Sequence, residues 1–182
     1  SSPSTNAVIS DFAAAFRGEV YAWEPLAQDD LAAGQKESYG EAVVPMFRYD
    51  KAKTIVSIDA DFLGAWGPAM TSSRLFANGR RNIEKMSRLI SFDSTYSLTA
   101  ANADMRFKIK PSQQLDVVLA LIAEVNGTAV SGAAEKLGFS AESFKKVAQE
   151  LKANAGESLV VTGGIQTRTV DSMHLHNAVN YL

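Results

Sequence analysis

The sequence predicts an α/β fold: an open, mostly parallel sheet with helices on both faces. Three observations carry this. Strand and helix signals alternate along the chain, which favours parallel strands joined by crossover helices. One strand, Lys53–Asp59 (KTIVSID), is a continuous β-branched and apolar run, the pattern of a strand buried on both faces. The 182 residues are 46% hydrophobic, enough for a sizeable core in one domain.

The elements follow in order. Asn6–Phe16 places Val8, Ile9, Phe12 and Phe16 at helical spacing, and Gly18 stops the pattern. Glu19–Pro25 (EVYAWEP) has the composition of a short strand ended by proline. Asp29–Tyr39 is a second helix, with Asp29 or Asp30 suited to the dipole at its start and Gly40 at its end. Glu24, Asp29 and Asp30 need no further role. After Lys53–Asp59, Pro68 opens a helix to Asn78. Ser87–Asp93 (SRLISFD) is the next strand, Ser94–Asp104 a polar stretch, and Arg106–Lys110 (RFKIK) a short strand. Pro111 and Ser112 open a helix with a Leu115, Val118, Leu119 and Ile122 stripe. Thr128–Leu137 and Ser140–Ala153 carry two further helical patterns, with Ser140 as the cap of the second and Gly156 closing it. Glu157–Gly164 (ESLVVTGG) is the last strand and Arg168–Leu182 the last helix.

Composition narrows the function classes. The formal net charge is −2 with no basic stripe, which argues against nucleic acid. There is no cysteine, so the chain has no disulfide, thiolate zinc site or cysteine-ligated iron–sulfur cluster of its own. No apolar run approaches the roughly 20 residues of a membrane helix, so no direct span is expected. The start lacks a methionine and the end stops inside a helical pattern; 1–182 is read as a single domain cut from a longer chain.

Ligands of open parallel sheets sit beyond the carboxyl ends of the strands. Asp59, Asp61, Asp93 and Gly163-Gly164 fall at predicted strand ends. Asp59-x-Asp61 matches the nucleophile and acid/base pair of magnesium-dependent haloacid-dehalogenase-like phosphatases, but the last strand is followed by IQTRTVD, without the acidic pair that would complete the metal site. The bland reading is that both carboxylates accept from loop N–H groups. Gly163-Gly164 could hold a small anion or form a tight turn. His174 and His176, two apart on a helix, face different ways, so one is expected packed and one solvated rather than both on a metal. Arg80, Arg81, Lys85 and Arg88 form a basic run expected to be a solvated loop.

The order of TIVSIDADFLGAWGP, ANGRR and MSRLISFDSTYSLTAANADMRFKIKPSQQLDVVLALIAEV resembles the cofactor region of molybdopterin oxidoreductases. With SLVVTGGIQTRTVDSMHLHNAVNYL, it is closer to the N-terminal half of the molybdopterin-oxidoreductase-like subunit of bacterial alternative complex III, a respiratory quinol oxidoreductase. The likeness runs from about Val20 to the end. It implies a Rossmann-like domain whose former cofactor loops are Asp59-Ala60-Asp61, Asp93-Ser94, Ala103-Asp104 and Lys110-Pro111-Ser112. It also implies location on the periplasmic face of the inner membrane. The implied partners are other domains of the same subunit and other subunits of a membrane-bound respiratory complex, with iron–sulfur clusters elsewhere in the full protein. True members bind molybdopterin guanine dinucleotide through glycine-rich loops. Here Ser112 stands where glycine would, Asp93-Ser94 lacks the Pro-Arg that follows in the family, and two carboxylates replace N–H donors. A retained fold without its cofactor is the expectation; a functional molybdopterin-binding domain is the alternative.

Overall fold

The structure, a computed structural model, describes residues 2–21, 23 and 28–182. Four strands form one parallel sheet: β1 (Thr54–Ile58), β2 (Arg88–Asp93), β3 (Met105–Lys108) and β4 (Ser158–Thr162). Their spatial order is β3-β2-β1-β4. The chain moves outward from β1 through β2 to β3, then crosses back to lay β4 on the other side of β1. The direction of winding therefore reverses between β1 and β4, and a crevice opens there at the carboxyl ends of the strands. This is the Rossmann-like α/β arrangement that the alternating signals predict.

The helices are α1 (Pro3–Phe16), α2 (Asp29–Tyr39), α3 (Ala69–Gly79), α4 (Leu98–Ala101), α5 (Gln114–Asn126), α6 (Ala133–Lys136), α7 (Ala141–Ala153) and α8 (Ser172–Tyr181). Alternate residues of β1 serve opposite faces, as the pleat requires. Val56 and Ile58 join Ile90, Phe92 and Phe107 beneath Val117, Val118 and Leu121 of α5, Phe144 and Val147 of α7, and Leu175 of α8. On this face Phe92 stacks on Phe107, their centroids 4.5 Å apart. Ile55, Leu89 and Val161 face the other way, against Phe62, Trp66, Phe76 of α3 and Leu31 of α2. There Tyr49 stacks on Phe62 at 4.2 Å. Both faces are thus covered, which is why β1 is buried along its whole length.

Helix α2 lies on α8 at close range because Gly34 has no side chain: a Cβ there would come within 2.6 Å of His176 Cβ. Asn180 and Gln35 lock the pair through a 3.0 Å hydrogen bond. Helix α1 buries none of its residues, and Val8, Phe12 and Phe16 stay exposed along its length.

Three expectations change. The helix expected over Thr128–Leu137 shrinks to α6, because Gly127 and Gly132 take left-handed conformations, at φ 72° and 79°, and break the chain on either side of Thr128–Ser131. Ser140 occupies the N-cap of α7, yet its hydroxyl makes no capping bond. The last helix starts at Ser172, since residues 165–167 form a separate 3₁₀ turn ahead of Arg168. The strand expected over Glu19–Pro25 lies partly outside the described residues, as do Glu24 and Pro25; its described part carries no strand. Among the described residues no helix is long and apolar enough to cross a membrane.

Candidate functional site

Strand β1 delivers Asp59 to the bottom of the crevice. Asp59 sits at φ +49°, a left-handed conformation that a short polar side chain tolerates better than a branched one. Its backbone N–H still donates to Phe92 at 2.8 Å, so the turn begins without breaking the sheet. The carboxylate points inward. Oδ1 accepts from Ser94 N at 2.7 Å and Ser94 Oγ at 2.9 Å, and Oδ2 accepts from Gln114 Nε2 at 2.5 Å. Asp59 is 3% exposed, so little of it can meet a ligand.

Asp61 organises the following loop. Its Oδ1 accepts from Thr99 N at 2.9 Å and Thr99 Oγ1 at 3.0 Å, and its Oδ2 from Ala65 N at 2.9 Å. Its carbonyl accepts from Gly64 and Trp66. Gly64 is required by this compactness: a Cβ there would lie 2.3 Å from Asp61 Oδ2.

Asp93 ends β2 and is sealed from solvent; its Oδ2 has no hydrogen-bond partner among the described residues. Burial pushes its carboxyl up to about 7, and the negative charges of Asp59 and Asp61 add to the rise while Arg106 opposes it. Asp59, Asp61 and Asp93 line one cavity of about 170 Å³ with Trp66, Thr95, Ser97 and Gly164. Among the described residues, no group of three or more acidic or histidine side chains is arranged to hold a metal ion.

The structure therefore brings together Asp59, Asp61, Asp93 and Ser94. Asp104 is elsewhere. It precedes β3, at the amino end of the sheet, where it pairs bidentately with Arg80 at 2.6 and 2.8 Å and accepts from Leu89 N at 2.8 Å. Lys110 and Ser112 are exposed at the carboxyl end of the edge strand, and neither lines the carboxylate cavity. Their loop reaches the crevice through Gln114 instead. The basic run divides: Arg80 pairs with Asp104, Arg88 with Glu150 at 2.9 Å, and Arg81 and Lys85 are exposed. His174 is exposed and His176 buried, as their spacing requires.

Trp66 separates this cavity from a second one of about 130 Å³, between the ends of β1 and β4, lined by Gly163, Thr167, Arg168, Ser172, His176 and Asp30 among others. A Cβ on Gly163 would fall 2.3 Å from the Trp66 ring, so the indole rests directly on the glycine backbone. Burial lowers His176 to about 4, against the pull of Asp30. Ser172 and Trp66 escape motif reading; the i, i+4 spacing of Ser172 and His176 is the one signal that could have paired those two.

A dinucleotide cofactor does not fit the carboxylate cavity. Three backbone N–H groups that a pyrophosphate would need, those of Ala65, Ser94 and Thr99, already serve Asp59 and Asp61. Two carboxylates about 4 Å from a phosphate would cost several kcal/mol at the effective dielectric of such a site. No protein-family model matches the chain, and no curated protein matches it.

Proposed function

We propose that this chain is a cofactor-free structural domain of a respiratory, molybdopterin-oxidoreductase-like subunit. It keeps the sheet and crevice of a nucleotide-binding fold and uses them to hold neighbouring domains and subunits in place. The observation that carries this reading is the internal use of the two loop carboxylates. Asp59 and Asp61 together accept six hydrogen bonds, from Ala65 in their own loop, Ser94 after β2, Thr99 of α4 and Gln114 of α5, filling the role that a cofactor's phosphates would otherwise play. The exposed apolar residues of α1, together with exposed Val44, Met46 and Met70, suit a domain that packs against other polypeptide in a larger assembly. The same inward carboxylates speak against a phosphatase, whose nucleophile must reach a phosphorus atom.

Elemental analysis for molybdenum and oxidative fluorescence for pterin, performed on the purified chain and on the full subunit, test the proposal. Both are expected to be blank for this domain. Pterin in stoichiometric amount, lost when Asp59 or Asp61 is replaced, would overturn it. Phosphate release from a generic ester that disappears in Asp59→Asn would favour the phosphatase.

A further inference from the structure

Asp93 is 1% exposed at the end of β2, and its Oδ2 has no hydrogen-bond partner among the described residues. Buried polar groups rarely lack partners. Asp93 lines the cavity of about 170 Å³ at the carboxyl ends of the strands, and the rest of that lining asks for positive charge. Asp59, Asp61 and Asp93 are its charged side chains; no lysine, arginine or histidine joins them among the described residues. Asp61 is half-buried, and its Oδ2 accepts one bond, from Ala65 N, so a lone pair remains. Ser97 Oγ accepts from Ala100 N and also keeps a lone pair. Asp59 adds charge rather than contact, since its oxygens already take three bonds. Trp66 and Ile165 supply apolar wall, which strengthens the field of the carboxylates. The nearest cations stay outside. Arg106 of β3 is exposed, with its guanidinium over the Tyr96 ring, and Lys108, beside Asp93 in register, is exposed too; neither lines the cavity.

We propose that this cavity binds a primary ammonium group through the Asp93 carboxylate, Asp61 Oδ2 and Ser97 Oγ. A tetrahedral ammonium carries three donors that point apart. The acceptors likewise come from three segments: the end of β2, the loop after β1 and the cap of α4. A guanidinium is a planar fork suited to both oxygens of one carboxylate, and a metal ion needs a ligand cluster that the described residues do not form. The groups that act on Asp93 are Asp59, Asp61 and Arg106, and burial holds its carboxyl at about 7. A cation takes the carboxylate form, so binding expels a proton and affinity rises from about pH 6 to about pH 8. The inference stands on the cavity alone and does not depend on the structural-domain reading.

The test is titration of the isotope-labelled chain with methylammonium chloride, followed by amide resonances and the Trp66 indole N–H. Tetramethylammonium, which has no N–H donor, and sodium serve as controls at matched ionic strength. The expected result is saturable movement of Asp61, Asp93, Ser97 and Gly164 with methylammonium alone. Asp93→Asn keeps the shape and removes the charge; it should weaken binding at least about tenfold, the scale of one charge-assisted hydrogen bond, and abolish the rise with pH. Asp104→Asn, which removes a carboxylate at the opposite end of the sheet, should do neither. Thermal unfolding confirms that both variants fold. A further arm with Nα-acetyllysine amide identifies the source: affinity equal to or above that of methylammonium assigns a lysyl side chain of another polypeptide, and lower affinity a small free amine. Absence of saturation through the millimolar range, a response shared with tetramethylammonium or sodium, affinity unchanged in Asp93→Asn, or an equal loss in Asp104→Asn would overturn the assignment. Each of these results reads separately from the molybdenum and pterin analyses.

Discussion

Gln114, the first residue of α5, donates its side-chain amide to Asp59 at the end of β1, 55 positions earlier, at 2.5 Å. The same nitrogen donates to the Gln166 carbonyl at 3.0 Å. One buried amide therefore ties together the loop after β1, the start of α5 and the turn after β4. These three segments form the floor of the crevice, and nothing in their local sequence dictates how they meet.

Removing that amide should loosen the floor without disturbing the sheet. Gln114→Ala is expected to cost about 2–3 kcal/mol, because it leaves an Asp59 oxygen and the Gln166 carbonyl without their donor and opens a small void. Gln114→Glu should cost more, since it sets a second carboxylate against Asp59. Urea unfolding at neutral pH measures both; an order in which Glu is tolerated better than Ala would contradict the role assigned to this bond.

Asp93 and His176 should oppose each other in the pH dependence of stability. Asp93 rises from 3.8 unfolded to about 7 folded, so the native state holds the extra proton. Its contribution is full below pH 3.8 and lost as pH rises through about 7, on the order of 4 kcal/mol. His176 falls from 6.5 to about 4, so its contribution is present above pH 6.5 and lost as pH falls through about 4, roughly 3 kcal/mol. The two slopes have opposite signs between these limits, and together they flatten the wild-type profile. Asp93→Asn should therefore be more stable than wild type at pH 8 and should lose stability on acidification. His176→Gln should show the reverse slope. Denaturant midpoints across this range check the pair, and a wild-type profile unchanged by Asp93→Asn would refute the buried-carboxyl account.

Much of the fold was legible because its signals are local. The apolar run of β1 comes from burial on both faces of a parallel sheet, and a few consecutive residues suffice to show it. The stripe of α5 was legible as a helix but not as a face: Leu119 is exposed, Leu115 and Ile122 are half-buried, and Val117, Val118 and Leu121 are the residues that face the sheet. The candidate site was legible only as an address. Asp59 and Asp61 lie where parallel strands end, but their bonding partners Gln114 and Thr99 are brought up by separate crossovers, and no spacing rule joins them. Asp104 illustrates the limit. Its order in the chain groups it with the crevice loops, yet it precedes β3 rather than following it, and in a parallel sheet that one difference moves it to the opposite end. The glycines at 127 and 132 are visible in the sequence, but their weight against the Thr128–Leu137 pattern depends on both of them turning left-handed, which the sequence alone does not dictate.

At that opposite end, Arg80 and Asp104 should act as a structural clasp with its own pH signature. Hydrogen bonding to Arg80 holds the Asp104 carboxyl below its ordinary value, and the Leu89 N–H adds to this. A lowered folded value means stability that is present at neutral pH and lost as acid titrates the carboxylate. Asp104→Asn is expected to cost about 1–2 kcal/mol at pH 7 and progressively less in acid, because the pair is only partly buried and retains one amide contact.

Gly163 should be the least substitutable position at the mouth of the crevice. Its φ of +155° lies in the range glycine favours, and a Cβ would meet the Trp66 ring at 2.3 Å. Neither partner can give way cheaply: the glycine is anchored by β4, and Trp66 packs in the core beside Phe47 at 5.7 Å. Gly163→Ala is therefore expected to cost at least about 2–3 kcal/mol, or to expel the indole. Trp66 and exposed Trp23 are the two tryptophans of the chain, so a Trp23→Phe background isolates the signal. In that background, Gly163→Ala should shift the Trp66 emission to longer wavelength and raise its quenching by iodide. The double change Gly163→Ala with Trp66→Leu should recover part of the lost stability, because the shorter side chain yields the space the methyl needs. If the double variant is less stable than Gly163→Ala alone, the clash is not what makes this glycine necessary, and the backbone conformation is.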